Sequence, residues 1–155
     1  MPQVDFHILR ESSPTARLKL ACRLAERAYR EGTRVLVRLE AESQLTELDT
    51  LLWTFGDGTF VPHDRLTGAG MPGEQEAPVV LTSGALPAML ASWPLLIDLA
   101  LAQPPASALP ERLIEIVDAD EIRRRQARDR FRAYRDAGIT PNTINHDAED
   151  DATNG

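Results

Sequence analysis

Arginine is concentrated in one short segment near the C-terminal end of the 155-residue chain. Between residues 121 and 135 there are seven arginines and two acidic residues, a net charge of +5, whereas residues 1–120 carry −7 and residues 136–155 carry −5. A guanidinium group binds a carboxylate or a phosphate through two parallel hydrogen bonds. The segment is therefore suited to contact an anionic partner. Its arginines are Arg123, Arg124, Arg125, Arg128, Arg130, Arg132 and Arg135.

Aromatic side chains accompany these arginines at helical spacing. An aromatic ledge beside guanidinium groups suits a ligand that is both acidic and apolar. Composition alone leaves three interpretations open: a solvated helix face, a surface for nucleic-acid phosphates, and a site for an acidic peptide. The aromatic stripe and its arginine edge consist of Ala127, Phe131 and Tyr134, and of Arg124, Arg128 and Arg135.

A second cluster of aromatic residues lies near the middle of the chain. Trp53, Phe55 and Phe60 fall at the end of a predicted helix and at the start of a glycine-rich loop. Two interpretations are open. The cluster either covers the sheet edge as part of the core, or forms an exposed patch for a protein partner, since Trp and Phe supply large contact areas at low entropy cost.

The patterns that bind nucleotides or metals are missing from the sequence. Neither G-x-G-x-x-G nor G-x-x-x-x-G-K-[ST] occurs, and the turn after the first predicted strand, residues 9–14, contains no glycine. The three histidines, His7, His63 and His146, are far apart and have no cysteine at metal-ligand spacing. We therefore expect no cofactor and no metal site.

Two further residues could do chemistry, but each also has a structural explanation. Cys22 falls on the apolar stripe of the first predicted helix, where a buried, inert thiol is expected. Asp98 ends a hydrophobic strand, where it acts either as a catalytic carboxylate or as a cap of the strand end. No set of catalytic groups emerges from these residues.

Hydrophobic periodicity predicts alternating strands and helices. Ser13 and Ser43 are suited to cap the first two helices, and Gly32 and Gly138 are suited to end the first and the last. This order is typical of an α/β fold with three layers, a mostly parallel sheet of about five strands and helices on both faces. The strands are expected at about residues 3–9, 34–39, 78–82, 95–99 and 113–117, and the helices at about 14–31, 43–53 and 119–137.

Composition also predicts the domain boundary and the compartment. We expect one α/β domain over residues 1–139, a long surface loop over residues 55–77, and an acidic, disordered C-terminal tail over residues 140–155. A single cysteine and the lack of a signal-peptide pattern predict the cytoplasm. The net charge of −7 argues against a protein that coats nucleic acid through bulk charge.

Two motifs in order carry a resemblance to a known family. The first is W-x6-F-V-P-H, from Trp53 to His63, and the second is A-R-x-R-[FY]-[KR]-x-Y-R-x-A-G-x-x-x-N-T, from Ala127 to Thr143. Together with the opening strand and the strand near Gly32 to Leu36, they resemble the chi subunit of the bacterial DNA polymerase III holoenzyme. The resemblance covers the chain to about Asn145 and leaves the acidic extension outside.

The resemblance implies a non-catalytic clamp-loader accessory subunit with a nucleotide-binding-like fold that lacks the phosphate loop. Such proteins bind the psi subunit and the acidic C-terminal tail of single-stranded DNA-binding protein, which ends in phenylalanine. The roles carried over are tail binding by Arg128, Phe131 and Arg132, with Arg124 and Arg135 beside them, and contact with psi, or in some members a repair helicase, by Trp53 and Phe60.

Two substitutions within the motifs keep the chemistry, because Phe131 stands where many relatives have Tyr, and Arg132 where some have Lys. An alternative to the whole assignment is direct nucleic-acid binding by the arginine-rich helix. It predicts affinity for oligonucleotides alone with a steep dependence on salt.

Overall fold

Strands and helices alternate along the chain, as the sequence predicts. The computed structural model describes residues 2–54, 60–66, 77–87, 90–100, 104 and 108–146. In this part of the chain no helix has the length and apolar composition needed to cross a membrane. The elements are β1 (Gln3–Leu9), α1 (Pro14–Arg30), β2 (Val35–Leu39), α2 (Glu42–Thr54), β3 (His63–Arg65), β4 (Val79–Ser83), a 3-10 helix (Leu90–Ser92), β5 (Leu95–Asp98), β6 (Arg112–Val117), α3 (Glu121–Asp136) and β7 (Asn142–His146).

The strands form one sheet in which neighbouring strands run parallel, in the order β3-β4-β2-β5-β6-β1-β7. The predicted α/β class is thus confirmed. The described residues contribute seven strands to the sheet rather than the expected five, and the two additional strands, β3 and β7, lie at its two edges.

Both additional strands lack the apolar pattern on which strand prediction depends. β3 has only three residues, and β7 reads Asn-Thr-Ile-Asn-His with four of its five side chains exposed. β7 pairs with β1, so residues 142–146, which the sequence places in the C-terminal tail, form an edge strand of the sheet. Residues 147–155 of the predicted tail, and residues 55–59 and 67–76 of the predicted loop, lie outside the described residues.

The sheet has a separate hydrophobic cluster on each face. The cluster under α1 and α2 contains side chains such as Leu20, Leu48 and Val37, and the cluster under α3 contains Phe6, Trp93 and Tyr134. The β-branched and leucine-rich strands β2, β4 and β5 contribute buried side chains to both faces, which is typical of a parallel sheet covered on both sides.

Helix ends follow the sequence in three of four predicted places. Ser13 caps α1 and accepts a hydrogen bond from the Ala16 amide at 3.1 Å. Gly32 and Gly138, at φ of +76° and +88°, follow α1 and α3 in the left-handed conformation that glycine adopts most easily. The expected cap at Ser43 is wrong. α2 begins at Glu42, and the Gln44 side chain reaches back to accept from the Glu40 amide at 3.0 Å.

Polar side chains attach β7 to β1. The Asn142 amide donates to Asp5 at 3.0 Å, and His7 Nδ1 lies 2.8 Å from Nε2 of His146, with the two rings stacked 5.1 Å apart. Burial, assisted by the nearby His146, lowers the pKa of His7 to about 4. The two histidines that seemed unrelated in sequence therefore form one contact, in which one ring donates and the other accepts.

This contact predicts that acidification weakens the fold. The unfolded chain binds a proton on His7 near pH 6.5 and the folded chain only near pH 4, so the contribution of His7 to stability is present above pH 6.5 and is lost as the pH falls through this window. We expect urea denaturation to show that the free energy of unfolding falls by up to about 3 kcal/mol because of this group. The loss should be smaller in His7→Gln, and equal pH profiles for the two proteins would contradict the prediction.

Candidate functional site

The start of α3 is fixed by two aspartates between β6 and the helix. Asp120 caps α3 by accepting from the Arg123 amide at 2.9 Å. The buried Asp118 accepts from Nε and Nη2 of Arg123 at 2.8 and 2.6 Å. Although burial acts to raise it, these bonds hold the pKa of Asp118 below its usual range. The first turn of α3 is thereby locked to the end of β6.

The middle of α3 is held to the sheet by a buried ion pair. Arg130 points inward, and its Nε lies 2.5 Å from Oε1 of Glu115 on β6. Burial raises the pKa of Glu115 to about 7, although the Arg130 guanidinium opposes the shift. One turn further on, Tyr134 is fully buried with its ring 6.2 Å from that of Phe6. Arg130 and Tyr134 thus fix the rotation of the helix about its own axis.

With this rotation fixed, an open cavity of about 260 Å³ lies between α3 and the sheet. Its apolar surface comes from two parallel strands and from Phe131, whose ring centroid is 5.4 Å from that of Phe6. Two guanidinium groups stand on its α3 side. We call it the α3 cavity, and its lining consists of Phe6, Ile8, Val117, Arg124, Ala127, Arg128, Phe131 and Thr143.

The two arginines of the α3 cavity differ in their attachment. Arg124 is anchored by two carbonyl oxygens, because its Nε donates to Asp118 at 3.1 Å and its Nη2 to Leu9 at 3.3 Å. Arg128 is exposed and forms no ion pair with any carboxylate in the described part of the chain. The cavity therefore combines an apolar interior with one oriented and one unpaired positive charge at its rim, which suits a ligand with an apolar end and a carboxylate beside it.

A second feature lies where α2 ends and β3 begins. Trp53 and Phe60 are 60% and 48% exposed, and their rings stack with centroids 4.8 Å apart. The rings of Trp53 and His63 meet edge to face, with their centroids 5.4 Å apart. These two exposed rings, which we call the aromatic patch, lie on the surface and do not belong to either hydrophobic cluster. The exposure of Trp53 and Phe60 excludes the core interpretation for these two residues, and their contact with a protein partner stays a prediction. Phe55 lies outside the described residues.

His63 contacts the aromatic patch and is itself held by two polar contacts. Its Nδ1 lies 2.8 Å from the carbonyl oxygen of Val61, and its Nε2 lies 2.8 Å from Oδ1 of Asp49 on α2. Both ring nitrogens thus face oxygen atoms, one in the segment before β3 and one on α2. The bonds from β3 to α2 hold the two exposed aromatic rings in place relative to each other.

Comparison with known proteins shows to which family the chain belongs. The model of the family "DNA polymerase III chi subunit, HolC" matches residues 1–142. The chain belongs to the chi subunit family of DNA polymerase III. It is 39% identical over 138 residues to the DNA polymerase III subunit chi of Pseudomonas aeruginosa, covering 89% of this chain and 92% of the relative.

Two further chi subunits show the same relation over most of their length. That of Haemophilus influenzae is 31% identical over 141 residues, covering 91% of this chain and 95% of the relative. That of Escherichia coli is 34% identical over 134 residues, covering 81% and 82%. The resemblance inferred from the two motifs is confirmed, and the chain is placed among the accessory subunits of a polymerase that serves DNA replication.

Within the chi fold, only some of the residues predicted for tail binding come together. Arg124, Arg128 and Phe131 line the α3 cavity. Arg132 is on the same helix but outside the cavity lining, and it pairs with Asp129 at 2.9 Å in an exposed ion pair. Arg135 lies exposed in the last turn of α3, also outside the lining.

The sequence did not indicate the strand residues that complete the α3 cavity. Phe6 and Ile8 were recognisable as strand residues by their alternation, but nothing in the sequence indicated that β1 lies under α3. Thr143 was assigned to the tail, and the structure places it in β7 beside Phe6. Tyr134, a member of the predicted stripe, belongs to the core instead.

The other candidate residues have structural roles. Cys22 is fully buried, as predicted, and burial raises the pKa of its thiol to about 12. Asp98 forms a two-bond ion pair with Arg38 at 3.0 and 2.9 Å and accepts from the Ala100 amide at 3.0 Å. The last bond is the strand-end cap that the sequence offered as one of two alternatives.

The position of α3 predicts a large difference between two ion pairs on one helix. Glu115→Ala removes the carboxylate that faces the buried Arg130, and we expect it to lower the free energy of unfolding by about 3–5 kcal/mol. Asp129→Ala removes the exposed partner of Arg132, and we expect a loss below about 1 kcal/mol. Urea denaturation about one pH unit above the pKa of Glu115 measures both. Losses of similar size would show that the buried pair does not hold the helix.

Proposed function

We propose that this chi-family chain is a non-catalytic connector within the replication machinery. In this proposal the α3 cavity binds the acidic C-terminal tail of single-stranded DNA-binding protein, which ends in phenylalanine. The aromatic patch binds the psi subunit and thereby the clamp loader, and a repair helicase is a second partner for the same patch. The observation that carries the proposal is the α3 cavity, where Arg128 stands unpaired in the described structure beside an apolar interior.

The chemistry of the α3 cavity matches both parts of such a tail. A phenylalanine ring would fill the space between Phe6, Val117 and Phe131 and remove apolar surface from water. The terminal carboxylate would then lie at the rim, within reach of Arg128. A small, charge-assisted contact of this kind implies an affinity in the micromolar range that falls as salt rises.

The chemistry also separates this function from plain nucleic-acid binding. Phosphates would use the arginines of α3 but would leave the apolar interior of the cavity empty. In addition, the chain outside residues 121–135 carries an excess of negative charge. That charge repels a phosphate backbone over most of the surface, whereas a short peptide end meets only the rim of the cavity.

The positions of the two surfaces support a connector. β3, next to the aromatic patch, is one edge strand of the sheet, and β7, next to the α3 cavity, is the other. Strands lie about 4.8 Å apart, so about 29 Å separates these edges. Two partners could therefore be bound at the same time without contact between them.

The cavity predicts a graded response along α3. Arg128→Ala should weaken binding of an acidic, phenylalanine-ended peptide about tenfold or more, because it removes a charge-assisted contact at the rim. Arg125→Ala is the matched control, since it removes the same charge from an exposed position outside the cavity lining. Arg132→Ala and Arg135→Ala should give intermediate losses. Calorimetry on the folded variants measures all four.

Two outcomes of that experiment would refute the proposal. Equal peptide affinities for wild type and Arg128→Ala would show that the α3 cavity does not bind the peptide. Tight binding of oligonucleotides with a steep dependence on salt, weakened alike by Arg125→Ala and Arg128→Ala, would favour the nucleic-acid alternative instead.

The aromatic patch predicts the opposite selectivity. Trp53→Ala or Phe60→Ala should weaken binding of psi about tenfold or more and leave the affinity for the tail peptide unchanged, since exposed Trp residues at interfaces often contribute about 2 kcal/mol or more. Tyr29→Ala removes another partly exposed aromatic ring, on α1, and serves as control. Loss of peptide binding with psi binding retained would contradict the assignment of the two surfaces.

A further inference from the structure

The acidic segment that follows β7 begins beside the α3 cavity. β7 ends at His146, which lies in register with Leu9 of β1. The carbonyl oxygen of this same Leu9 accepts the hydrogen bond from Nη2 of Arg124 at 3.3 Å. Thr143, three residues earlier in β7, is part of the cavity lining. The chain therefore leaves the sheet next to one of the two arginines of the cavity.

The charges of this segment are complementary to the rim of the cavity. Directly after His146 the sequence continues Asp-Ala-Glu-Asp-Asp, with four carboxylates in five residues, at positions 147, 149, 150 and 151. We call residues 147–151 the acidic segment. The cavity rim presents Arg124 and Arg128, and Arg128 has no carboxylate partner in the described part of the chain.

Reach does not limit a contact between the two. An extended chain advances at most about 3.6 Å per residue, so five residues span up to about 18 Å. Adjacent strands are only about 4.8 Å apart, and the exit of β7 is one strand away from Leu9. Tethering at this distance raises the effective concentration of the acidic segment at the rim to the millimolar range.

We propose that the acidic segment occupies the rim of the α3 cavity and competes with the acidic peptide that the cavity binds. The inference rests on the proposed function, because it concerns regulation of the same site. The segment supplies carboxylates to Arg124 and Arg128, but residues 147–155 include no aromatic side chain for the apolar interior. Its contact is therefore weaker than that of a ligand with both features.

This difference makes the acidic segment a selectivity device. A ligand that offers only negative charge competes with a tethered segment that offers the same chemistry at high effective concentration. A peptide that also inserts an aromatic ring gains the apolar contact with Phe6, Val117 and Phe131 and displaces the segment. The segment thus lowers the affinity for every anionic ligand, but only those without an aromatic end are excluded.

The test neutralises the acidic segment in the full-length chain. In the variant D147N/E149Q/D150N/D151N we expect the affinity for an acidic, phenylalanine-ended peptide to rise about two- to tenfold at low salt. The gain should be larger for an acidic peptide in which alanine replaces the terminal phenylalanine. At high salt the wild type and the variant should converge, because screening weakens the contact of the segment.

A matched control separates contact from overall charge. The variant E31Q/E47Q/D64N/E111Q removes the same number of negative charges at exposed positions that do not line the cavity. It should bind the peptide with the affinity of the wild type. An equal gain in both variants would show that only net charge matters and would overturn the proposal. Inhibition that increases with protein concentration would also overturn it, since the segment would then act between copies of the chain.

A measurement without the phenylalanine-ended peptide keeps the two proposals distinguishable. Neutralising the acidic segment should shift the amide resonances of α3 around Arg124 and Arg128, and a synthetic peptide of residues 147–155 added to the neutralised variant should shift them back. If these shifts occur but no variant binds the phenylalanine-ended peptide, the proposed function fails and the internal contact stands. If all variants bind that peptide with one affinity and the resonances do not move, the internal contact fails and the proposed function stands.

Discussion

The position of α3 depends on the burial of a charge within the sheet. Arg130 enters the protein and meets Glu115, which lies in register with Phe6 on one side and with Asp98 on the other. Asp98 in turn is in register with Arg38 and bonded to it. A single row across the sheet thus carries two buried ion pairs and then Phe6, which lines the cavity. Buried charges tolerate little displacement, because their loss of hydration is compensated only when both partners are in place.

Because of this row, the position of one arginine of α3 determines where the other arginines of the helix point. Because Arg130 points inward, Arg124 and Arg128 point toward the cavity, and Arg132 lies further around the helix in solvent. A helix turned by one residue would bury a different arginine and dismantle the cavity. The stability of α3 and the shape of the cavity therefore both depend on the rotation of the helix.

The sequence was sufficient to predict the elements that are defined by apolar pattern. β2, β5 and α1 fall within a residue or two of their predicted bounds, since a strand buried on both faces or a helix with one apolar face leaves a clear period. β3 and β7 were missed because edge strands with exposed polar side chains carry no such period. Ser43 was misassigned because several residues near Glu42 could begin the helix equally well.

The candidate site was predictable on the helix but not on the sheet. Spacing indicated that Phe131 and Arg128 share a face of α3, yet it could not tell Arg130, which is buried, from the arginines around it. Nor could it distinguish Tyr134, which fills the core, from Phe131, which lines the cavity. These distinctions depend on which strand lies beneath each turn of the helix, and strand order is a property of distant parts of the chain.

Strand order also determines when the sheet can fold during synthesis of the chain. β1 precedes the other described strands and therefore leaves the ribosome before them, but its two neighbours in the sheet are β6 and β7, and Gln3 pairs with Arg112. Until those last strands emerge, β1 has two open edges, and Phe6 has neither α3 nor β6 to cover it. The sheet on this side therefore closes only when synthesis of the domain is nearly complete, so a nascent chain arrested before residue 112 would expose the strand that later supports the cavity.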